Sequence, residues 1–257
     1  METTYEFLTL RNDGAVARLV FRRPPLNILH LEMVREMNRT LRDLRSEGGL
    51  RALVLSAEGK AFSAGVAVED HLPDKVQGML PAFHDVFRQL RMLSCPLVAA
   101  VQGAALGGGC ELAGFADWVV ASDAATFGLP EIKLGSFPPL AAVHFPHRIG
   151  LARTLQLLLT GDVLSAAEAA RIGLVDRVVP ADRLEAEVEA VVGALREKSG
   201  PVLRLAKRAA FAALGRDFDS GLDEAQRLFL EQLMKTEDST EGLRAFMEKR
   251  APAWKQR

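Results

Sequence analysis

The stretch around which the rest of the chain is organised reads GAALGGGCE and covers residues 103–111. It follows an apolar run typical of a buried strand, Val98–Val101, and continues into an apolar segment that predicts a helical turn, Cys110–Phe115. Consecutive glycines disfavour a helix, so we expect them where a bound group must approach the backbone. The free N–H groups and partial positive charge of a helix N-terminus favour a phosphate, or an oxygen that becomes anionic during a reaction.

Glu111 lies one turn into this helix, among apolar neighbours. Because burial disfavours the charged form of a carboxyl group, the pattern predicts a raised pKa and a group able to exchange protons. The alternative for the glycines is purely structural, a tight turn from strand to helix with close packing. The glycine run alone fits both interpretations equally well.

Three other motifs are excluded by single residues. Counting from Gly107, the sixth position of a dinucleotide fingerprint is Leu112 rather than glycine. Gly109 stands where a phosphate-binding loop needs lysine. Ser63 is not on a nucleophile elbow, because Ala61 replaces the first glycine of that motif.

The composition is that of an ordinary globular protein. Of the 257 residues, 49% are hydrophobic and 25% are charged, which predicts one large domain or one domain with a small appendage. The net charge of −1 gives no basic field for nucleic acid, and a basic helix face at Arg204, Lys207 and Arg208 is typical of a solvated surface. Two cysteines exclude a disulfide framework and a paired-cysteine zinc site. The polar N-terminus and the lack of an apolar run of about 18 residues predict a cytoplasmic protein without a membrane partner.

The chain alternates strand-like and helix-like segments up to about Gly150 and is mainly helical beyond it, which predicts a layered α/β core followed by helices. The predicted strands are Phe7–Arg11, Val16–Phe21, Ala52–Leu55, Leu97–Val101 and Trp118–Ala121, with an extended link at Val175–Val179. The predicted helices are Leu31–Leu44, Val76–Met92, Leu151–Leu159, Ala166–Ile172, Leu184–Leu195, Val202–Leu214, Leu222–Met234 and Thr240–Arg250.

Three motifs, taken together and in this order, resemble the enoyl-CoA hydratase/isomerase (crotonase) superfamily. They are Ala61-Phe62-Ser63-Ala64-Gly65, the glycine stretch 103–111, and Pro130-Glu131-Ile132. The later segments Thr160-Gly161-Asp162, Gly173-Leu174-Val175 and Phe246–Arg250 are similar too. The resemblance therefore extends from about Phe7 to Arg250.

The resemblance implies a crotonase-like spiral of ββα units as an α/β core, over residues 1–195. It implies a C-terminal helical oligomerisation region, over residues 196–257, that builds homotrimers or homohexamers. It also implies an oxyanion hole of two backbone N–H groups, at Val66 and Gly108, and two catalytic glutamates, Glu111 and Glu131. No cofactor is implied, since coenzyme A is part of the substrate.

Having both glutamates favours hydration, the addition of water to an α,β-unsaturated acyl-CoA thioester. The reaction builds enolate charge on the thioester oxygen, which two N–H donors would stabilise, and two carboxyl groups flanking one water can divide the proton transfers. The alternatives are an isomerase of the same superfamily and a non-catalytic member that binds acyl-CoA or RNA. For Glu131 alone, a position in a surface loop is the structural alternative.

Two segments resemble the branch of the superfamily that hydrates cyclohexa-1,5-diene-1-carbonyl-CoA in anaerobic aromatic degradation. In the segment 66–71, Ala67 replaces an aspartate that the superfamily usually has, although a backbone donor at Val66 does not need that side chain. The segment 135–143 is bulkier and more apolar than in common hydratases. The side chains expected to line the substrate pocket are Phe137, Pro138 and Leu140.

The remaining assignments rest on position alone. The residues expected to bind the CoA moiety are Arg22, Arg23, Ala64 and Lys249. We expect Asp70 and His71 to form an exposed pair in a loop, with a second proton-transfer role as the alternative. No metal site is expected at His144 and His147, since no acidic residue is adjacent to them.

Overall fold

A seven-stranded sheet forms the centre of the protein, in a computed structural model that describes residues 1–257. The strands of the chain are β1 (Glu2–Thr4), β2 (Leu8–Asn12), β3 (Val16–Phe21), β4 (Ala52–Ala57), β5 (Leu97–Val101), β6 (Ala104–Leu106), β7 (Trp118–Ser122), β8 (Thr126–Gly128), β9 (Val163–Ser165) and β10 (Arg177–Val179). The large sheet has the order β1-β2-β3-β4-β5-β7-β10. Its first two pairings are antiparallel and the others are parallel.

Ten α-helices surround this sheet and continue beyond it. They are α1 (Leu31–Glu47), α2 (Val76–Leu93), α3 (Gly108–Gly114), α4 (Pro139–Ile149), α5 (Leu151–Thr160), α6 (Ala166–Arg171), α7 (Leu184–Arg196), α8 (Gly200–Ala213), α9 (Phe218–Glu231) and α10 (Glu237–Met247). Short 3-10 helices cover Val68–His71, Pro130–Leu134, Ala181–Arg183 and Leu233–Lys235. None of the helices is both long and apolar enough to cross a membrane.

The apolar strands divide their side chains between two cores because successive residues of a strand point to opposite faces. In β4, Leu53 and Leu55 belong to the main core, together with residues of α1 and α2. Ala52 and Val54 face the other way and pack against α7. Burial on both faces explains why the strand lacks polar alternation, as parallel strands generally do.

A second, three-stranded sheet has the order β6-β8-β9. β5 in the large sheet is followed directly by β6 in the small one and then by α3, which is one ββα unit. The predicted α/β class with C-terminal helices is confirmed.

Several elements differ from the sequence prediction. β1 and the three strands of the small sheet were not predicted, because three-residue strands carry too few residues for a periodic signal. Helix α4 was also not predicted, because proline is unfavourable in the interior of a helix and two prolines are consecutive here. Proline is tolerated in the first turn of a helix, where its missing N–H would have no partner anyway, and Pro139 occupies that position.

A buried carboxylate holds the C-terminal helices together. Asp238, in the first turn of α10, accepts hydrogen bonds from Ser199 Oγ at 2.6 Å and from the Lys255 backbone N–H at 2.5 Å. It thereby joins the start of α8 to the end of the chain. The division into residues 1–195 and 196–257 stays a prediction.

Candidate active site

The small sheet brings the three sequence motifs together. β6 and β8 are parallel, with Leu106 beside Gly128, so that their carboxyl ends meet at one edge. One of these ends leads into α3 and the other into the turn that carries Glu131. On the other side of β6, Ser63 pairs with Ala105. The loop 63–66, the N-terminus of α3 and the Glu131 turn therefore lie side by side.

Two glycines of the central stretch are required by this packing. A methyl group built on Gly103 would lie 1.9 Å from the Lys60 carbonyl oxygen, and one on Gly109 would lie 2.3 Å from the Ser63 carbonyl oxygen. Neither position has room for a side chain. For these two glycines, the structural interpretation of the sequence is the right one.

The other two glycines of the run face the site residues. Gly107 has φ +52°, and a methyl group there would lie 2.7 Å from Oε1 of Glu131. A methyl group on Gly108 would lie 2.8 Å from Val66 Cγ2 and 2.9 Å from Phe83 Cζ. The absence of side chains at 107 and 108 thus gives Glu131 and Val66 their places beside the start of α3.

Two backbone donors are available at this point. Neither the Val66 N–H nor the Gly108 N–H donates a hydrogen bond to another group of the chain. Gly108 is the first residue of α3, so its N–H is one of those that a helix leaves free. Since the Val66 side chain adjoins Gly108, two unpaired donors lie on adjacent segments.

Glu111 is held in the core by a neighbouring helix. Its side chain is 3% exposed, and Oε1 accepts a hydrogen bond of 2.8 Å from the backbone N–H of Ala141 in α4. Burial raises the pKa of Glu111 to about 8, against a lowering effect of that N–H and with a further raising effect of the Glu131 charge. The carboxyl group is therefore largely protonated at neutral pH.

Glu131 is less deeply buried and lacks comparable support. Its Oε2 is buried without any hydrogen-bond partner. Burial raises the pKa of Glu131 too. Because both carboxyl groups sit in one low-dielectric site and influence each other, ionisation of one favours retention of the proton on the other. The unpartnered oxygen leaves a position for a polar group, which a water molecule would fit.

Phe83 is the site residue that sequence reasoning missed. It is buried in α2, and its Cζ lies 2.9 Å from the position of a methyl group built on Gly108. In the sequence it is one member of an apolar helical stripe, and nothing distinguishes it from the other members. Its contact with Gly108 depends entirely on how α2 packs against α3.

The predicted pocket residues differ in their placement. Pro138 is buried and Leu140 is partly buried against the main core, whereas Phe137 is 62% exposed. Leu140 precedes Ala141, the partner of Glu111, so it lies next to the catalytic candidate. Their role as a substrate wall stays a prediction.

The predicted CoA-binding residues fall into two regions. Ala64 donates its N–H to the Leu26 carbonyl at 2.9 Å, which joins the loop 63–66 to the loop that carries Arg22 and Arg23. Arg22 lies 3.8 Å from Glu58, and Arg23 donates to the Ile28 carbonyl. Lys249 is exposed and follows α10 in the sequence. Its side chain makes no hydrogen bond to Arg22, Arg23 or Ala64.

The expectation for the Asp70–His71 pair is wrong for Asp70 and right for His71. His71 is exposed, whereas Asp70 is 8% exposed and bonded to a helix N-terminus.

The histidine at 144 packs against Phe115, with ring centroids 4.9 Å apart, and burial lowers its pKa to about 4. No three His, Cys, Asp or Glu side chains are grouped so that they could hold a metal ion.

Comparisons with known proteins identify the family and the fold of the chain. The family described as enoyl-CoA hydratase/isomerase matches residues 11–257. A cyclohexa-1,5-dienecarbonyl-CoA hydratase of Thauera aromatica is 38% identical over 248 residues, which cover 96% of each chain. A probable enoyl-CoA hydratase of Mycobacterium bovis is 37% identical over 99% of this chain and 100% of that protein. The crystal structure of an enoyl-CoA hydratase from Bacillus anthracis superposes with a TM-score of 0.92 at 29% identity, over 98% of this chain and 100% of that one.

The mixed α/β fold with its C-terminal helices is the crotonase fold of these solved enoyl-CoA hydratases. The match over nearly the whole length makes the assignment specific. The chain belongs to the enoyl-CoA hydratase/isomerase family.

The carboxyl group of Glu111 makes the stability of this fold depend on pH. Its pKa of about 8 in the folded chain exceeds the ordinary value of 4.5. Between these two pH values the folded state therefore holds a proton that the unfolded state has released. The free energy of unfolding therefore falls as pH rises from about 4.5 to about 8. Glu111→Gln cannot ionise but keeps an acceptor for the Ala141 N–H. We expect its melting temperature, relative to wild type, to increase across this window in thermal unfolding experiments, and a pH-independent difference would contradict the raised pKa.

Proposed function

We propose that this protein is an enoyl-CoA hydratase, which adds water across the double bond of an α,β-unsaturated acyl-CoA thioester. The observation that carries the proposal is the meeting of two unpaired N–H donors, at Val66 and Gly108, with two carboxyl groups, Glu111 and Glu131. The family membership and the hydratase names of relatives at 37–38% identity support the reaction type.

In the proposed reaction, the thioester oxygen binds between the N–H groups of Val66 and Gly108. Attack of water on the β-carbon moves the double-bond electrons toward the α-carbon and the carbonyl, so negative charge grows on that oxygen. Two fixed donors stabilise this charge, and loss of one such donor typically costs about 3–4 kcal/mol. The free N–H at the start of α3 adds the partial positive charge of the helix end.

The surroundings of the two carboxyl groups support a division of the proton transfers between them. Glu131, with its unpartnered Oε2, takes a proton from the attacking water. Glu111, protonated because it is buried, gives its proton to the α-carbon. One O–H bond of the water and the C=C π bond break, and one C–O bond and one C–H bond form, so the hydroxyacyl-CoA product carries all the atoms of the water. A proton passing from Glu131 to Glu111 restores the starting state, and no cofactor beyond the substrate's CoA is required.

For the CoA moiety, we propose Arg22 and Arg23, which lie beside the site, together with Lys249 after α10. Arg22 and Arg23 precede the loop that bonds to Ala64, next to the proposed thioester position. These guanidinium groups and the ammonium group of Lys249 are suited to the phosphates of CoA.

For the acyl group, we propose a ring. Pro138 and Pro139 stiffen the start of α4 directly beside the Glu111 partner Ala141, and a rigid apolar wall favours a flat group over a flexible chain that must be ordered. The relative from Thauera aromatica, named for a cyclic dienoyl-CoA, supports this choice. We expect a cyclic or short branched enoyl-CoA to have a higher kcat/KM than crotonyl-CoA.

A panel of linear, branched and cyclic enoyl-CoAs, assayed for loss of the conjugated chromophore in water enriched in ¹⁸O, tests both proposals. Hydration predicts one ¹⁸O atom per product molecule. A rearranged product without ¹⁸O would indicate an isomerase and overturn the hydratase proposal. If crotonyl-CoA or a longer straight-chain substrate were turned over fastest, only the proposed preference for a cyclic acyl group would be overturned.

We also propose a homotrimer, or a dimer of trimers. The C-terminal helices leave large apolar side chains uncovered in one chain, among them Leu222, Phe229, Leu243 and Phe246. A second set of exposed apolar side chains lies on α4 and α5, at Val143, Leu151, Leu155 and Leu159. Two different apolar faces on one subunit suit a closed ring of copies. Sedimentation is expected to give three or six chains per particle, whereas a stable monomer at micromolar concentration would contradict the assembly.

A further inference from the structure

Asp70 is the only buried residue in an otherwise exposed segment, 68–75. Its Oδ2 accepts a hydrogen bond of 2.9 Å from the backbone N–H of Leu31, the first residue of α1. Lys75 Nζ lies 3.9 Å from Oδ1, too far for a hydrogen bond. The segment is thus held to the body of the protein by one carboxylate at a helix N-terminus, where negative charge is favoured.

The hydrogen bonds on either side of Val66 connect it to the same helix start. The Leu29 N–H donates to the Gly65 carbonyl at 2.9 Å, and the Ala67 N–H donates to the Leu29 carbonyl at 3.1 Å. The Asp70 N–H in turn donates to the Ala67 carbonyl at 3.1 Å. The backbone around Val66 is therefore fixed between Leu29 on one side and the Asp70–Leu31 bond on the other.

A second contact in this part of the loop is local: His71 Nδ1 lies 2.9 Å from the Ala67 carbonyl oxygen. It joins two residues of the same turn and does not tie the turn to α1. Ala67 has no polar side chain, and Val68 and Leu72 are exposed. Loss of the Asp70 carboxylate would leave the Leu31 N–H without its acceptor and free the turn after Val66 to move.

We propose that Asp70 is a positioning residue, which sets the direction of the Val66 N–H in the oxyanion hole. The proposal rests on the hydratase function proposed above. Asp70 does not touch the reacting atoms, and it acts by fixing a backbone donor whose misplacement by about 1 Å costs on the order of 10²-fold in rate.

The test compares Asp70→Ala, Asp70→Asn and the matched control Glu69→Ala, whose side chain is exposed in the same turn. A cinnamoyl-CoA with an electron-donating ring substituent serves as the probe, because polarisation of its thioester carbonyl shifts its absorption to the red. We expect Asp70→Ala to lose most of the red shift and about 10- to 100-fold in kcat, with little change in KM. Asp70→Asn keeps an acceptor oxygen for the Leu31 N–H and should recover most of both, and Glu69→Ala should behave as wild type.

The outcomes separate this proposal from the one it rests on. A full red shift and full kcat in folded Asp70→Ala would overturn the positioning role. This holds even if the melting temperature of the variant is lower than that of the wild type. Absence of a red shift in the wild-type protein would overturn the oxyanion hole itself, and the role of Asp70 with it. A wild-type red shift that Asp70→Ala loses, without hydration of any enoyl-CoA, would support the positioning role and contradict the hydratase.

Discussion

Glu111→Gln and Glu131→Gln are each expected to slow hydration by about 10²–10⁴-fold, the usual worth of a general acid or base. Gln preserves the size of either side chain and, at Glu111, the acceptor for Ala141, so the fold and the acyl-CoA site should remain. The proton transfers would be lost in the transition state only. We therefore expect kcat and kcat/KM to fall together while the affinity for acyl-CoA, measured by calorimetry, stays nearly constant.

Because the two carboxyl groups act on one water, their contributions are coupled. The double variant is expected to lose less than the product of the two single losses. Glu185→Gln, on the exposed side of α7, is the matched control. Wild-type rates in either site variant would make that glutamate a bystander, and a dispensable Glu131 alone would favour a one-acid isomerase.

Gly109→Ala is expected to lower both the melting temperature and the hydration rate, the rate by 10²-fold or more, on the order of one misplaced oxyanion donor. Its methyl group would lie 2.3 Å from the Ser63 carbonyl oxygen and 2.8 Å from Ser63 Cβ, so α3 and the loop 63–66 would have to separate. Ser63 Oγ also donates to the Asn27 carbonyl and accepts from the Gly65 N–H. A shift of Ser63 is therefore passed on to the segment that carries Val66.

Two glycines provide matched controls for this substitution. Gly78 in α2 and Gly193 in α7 have no atoms within 4 Å of an added methyl group. Gly193 lies in the interior of α7 and Gly78 in the first turn of α2. Within a helix, alanine is favoured over glycine by up to about 0.5–1 kcal/mol, so Gly78→Ala and Gly193→Ala should leave stability equal or higher and activity unchanged. If Gly109→Ala had the same melting temperature and hydration rate as these two variants, the close approach of α3 to Ser63 would not be required for stability or activity.

Features that depend on near neighbours in the sequence were predictable. The apolar period of Leu31–Leu44 predicted α1, which continues only one further turn to Glu47. The apolar neighbours of Glu111 predicted its burial and the direction of its pKa shift. Family motifs added Glu131 and Val66, which no local pattern would have connected with the glycine stretch.

Helix α4 and Asp70 show where local patterns mislead. Two consecutive prolines usually mark an extended segment, yet Pro139 begins a helix because the first helical residue needs no donor. Asp70 has the polar, charged neighbours of an exposed loop, and its burial is decided by the free N–H of Leu31.

By itself the sequence determined the α/β core with its helical C-terminal part, the helix after the glycine run and the environment of Glu111, because each follows from residues within a few positions along the chain. Only the tertiary structure decided that the Glu131 carboxyl group lies next to Gly107 and that Asp70 accepts a hydrogen bond from the first residue of α1. These contacts join distant segments, and they exist because β6 pairs in parallel with β8 on one side and with Ser63 on the other. The register of such pairings is set by the packing of the whole core, which no short stretch of sequence specifies.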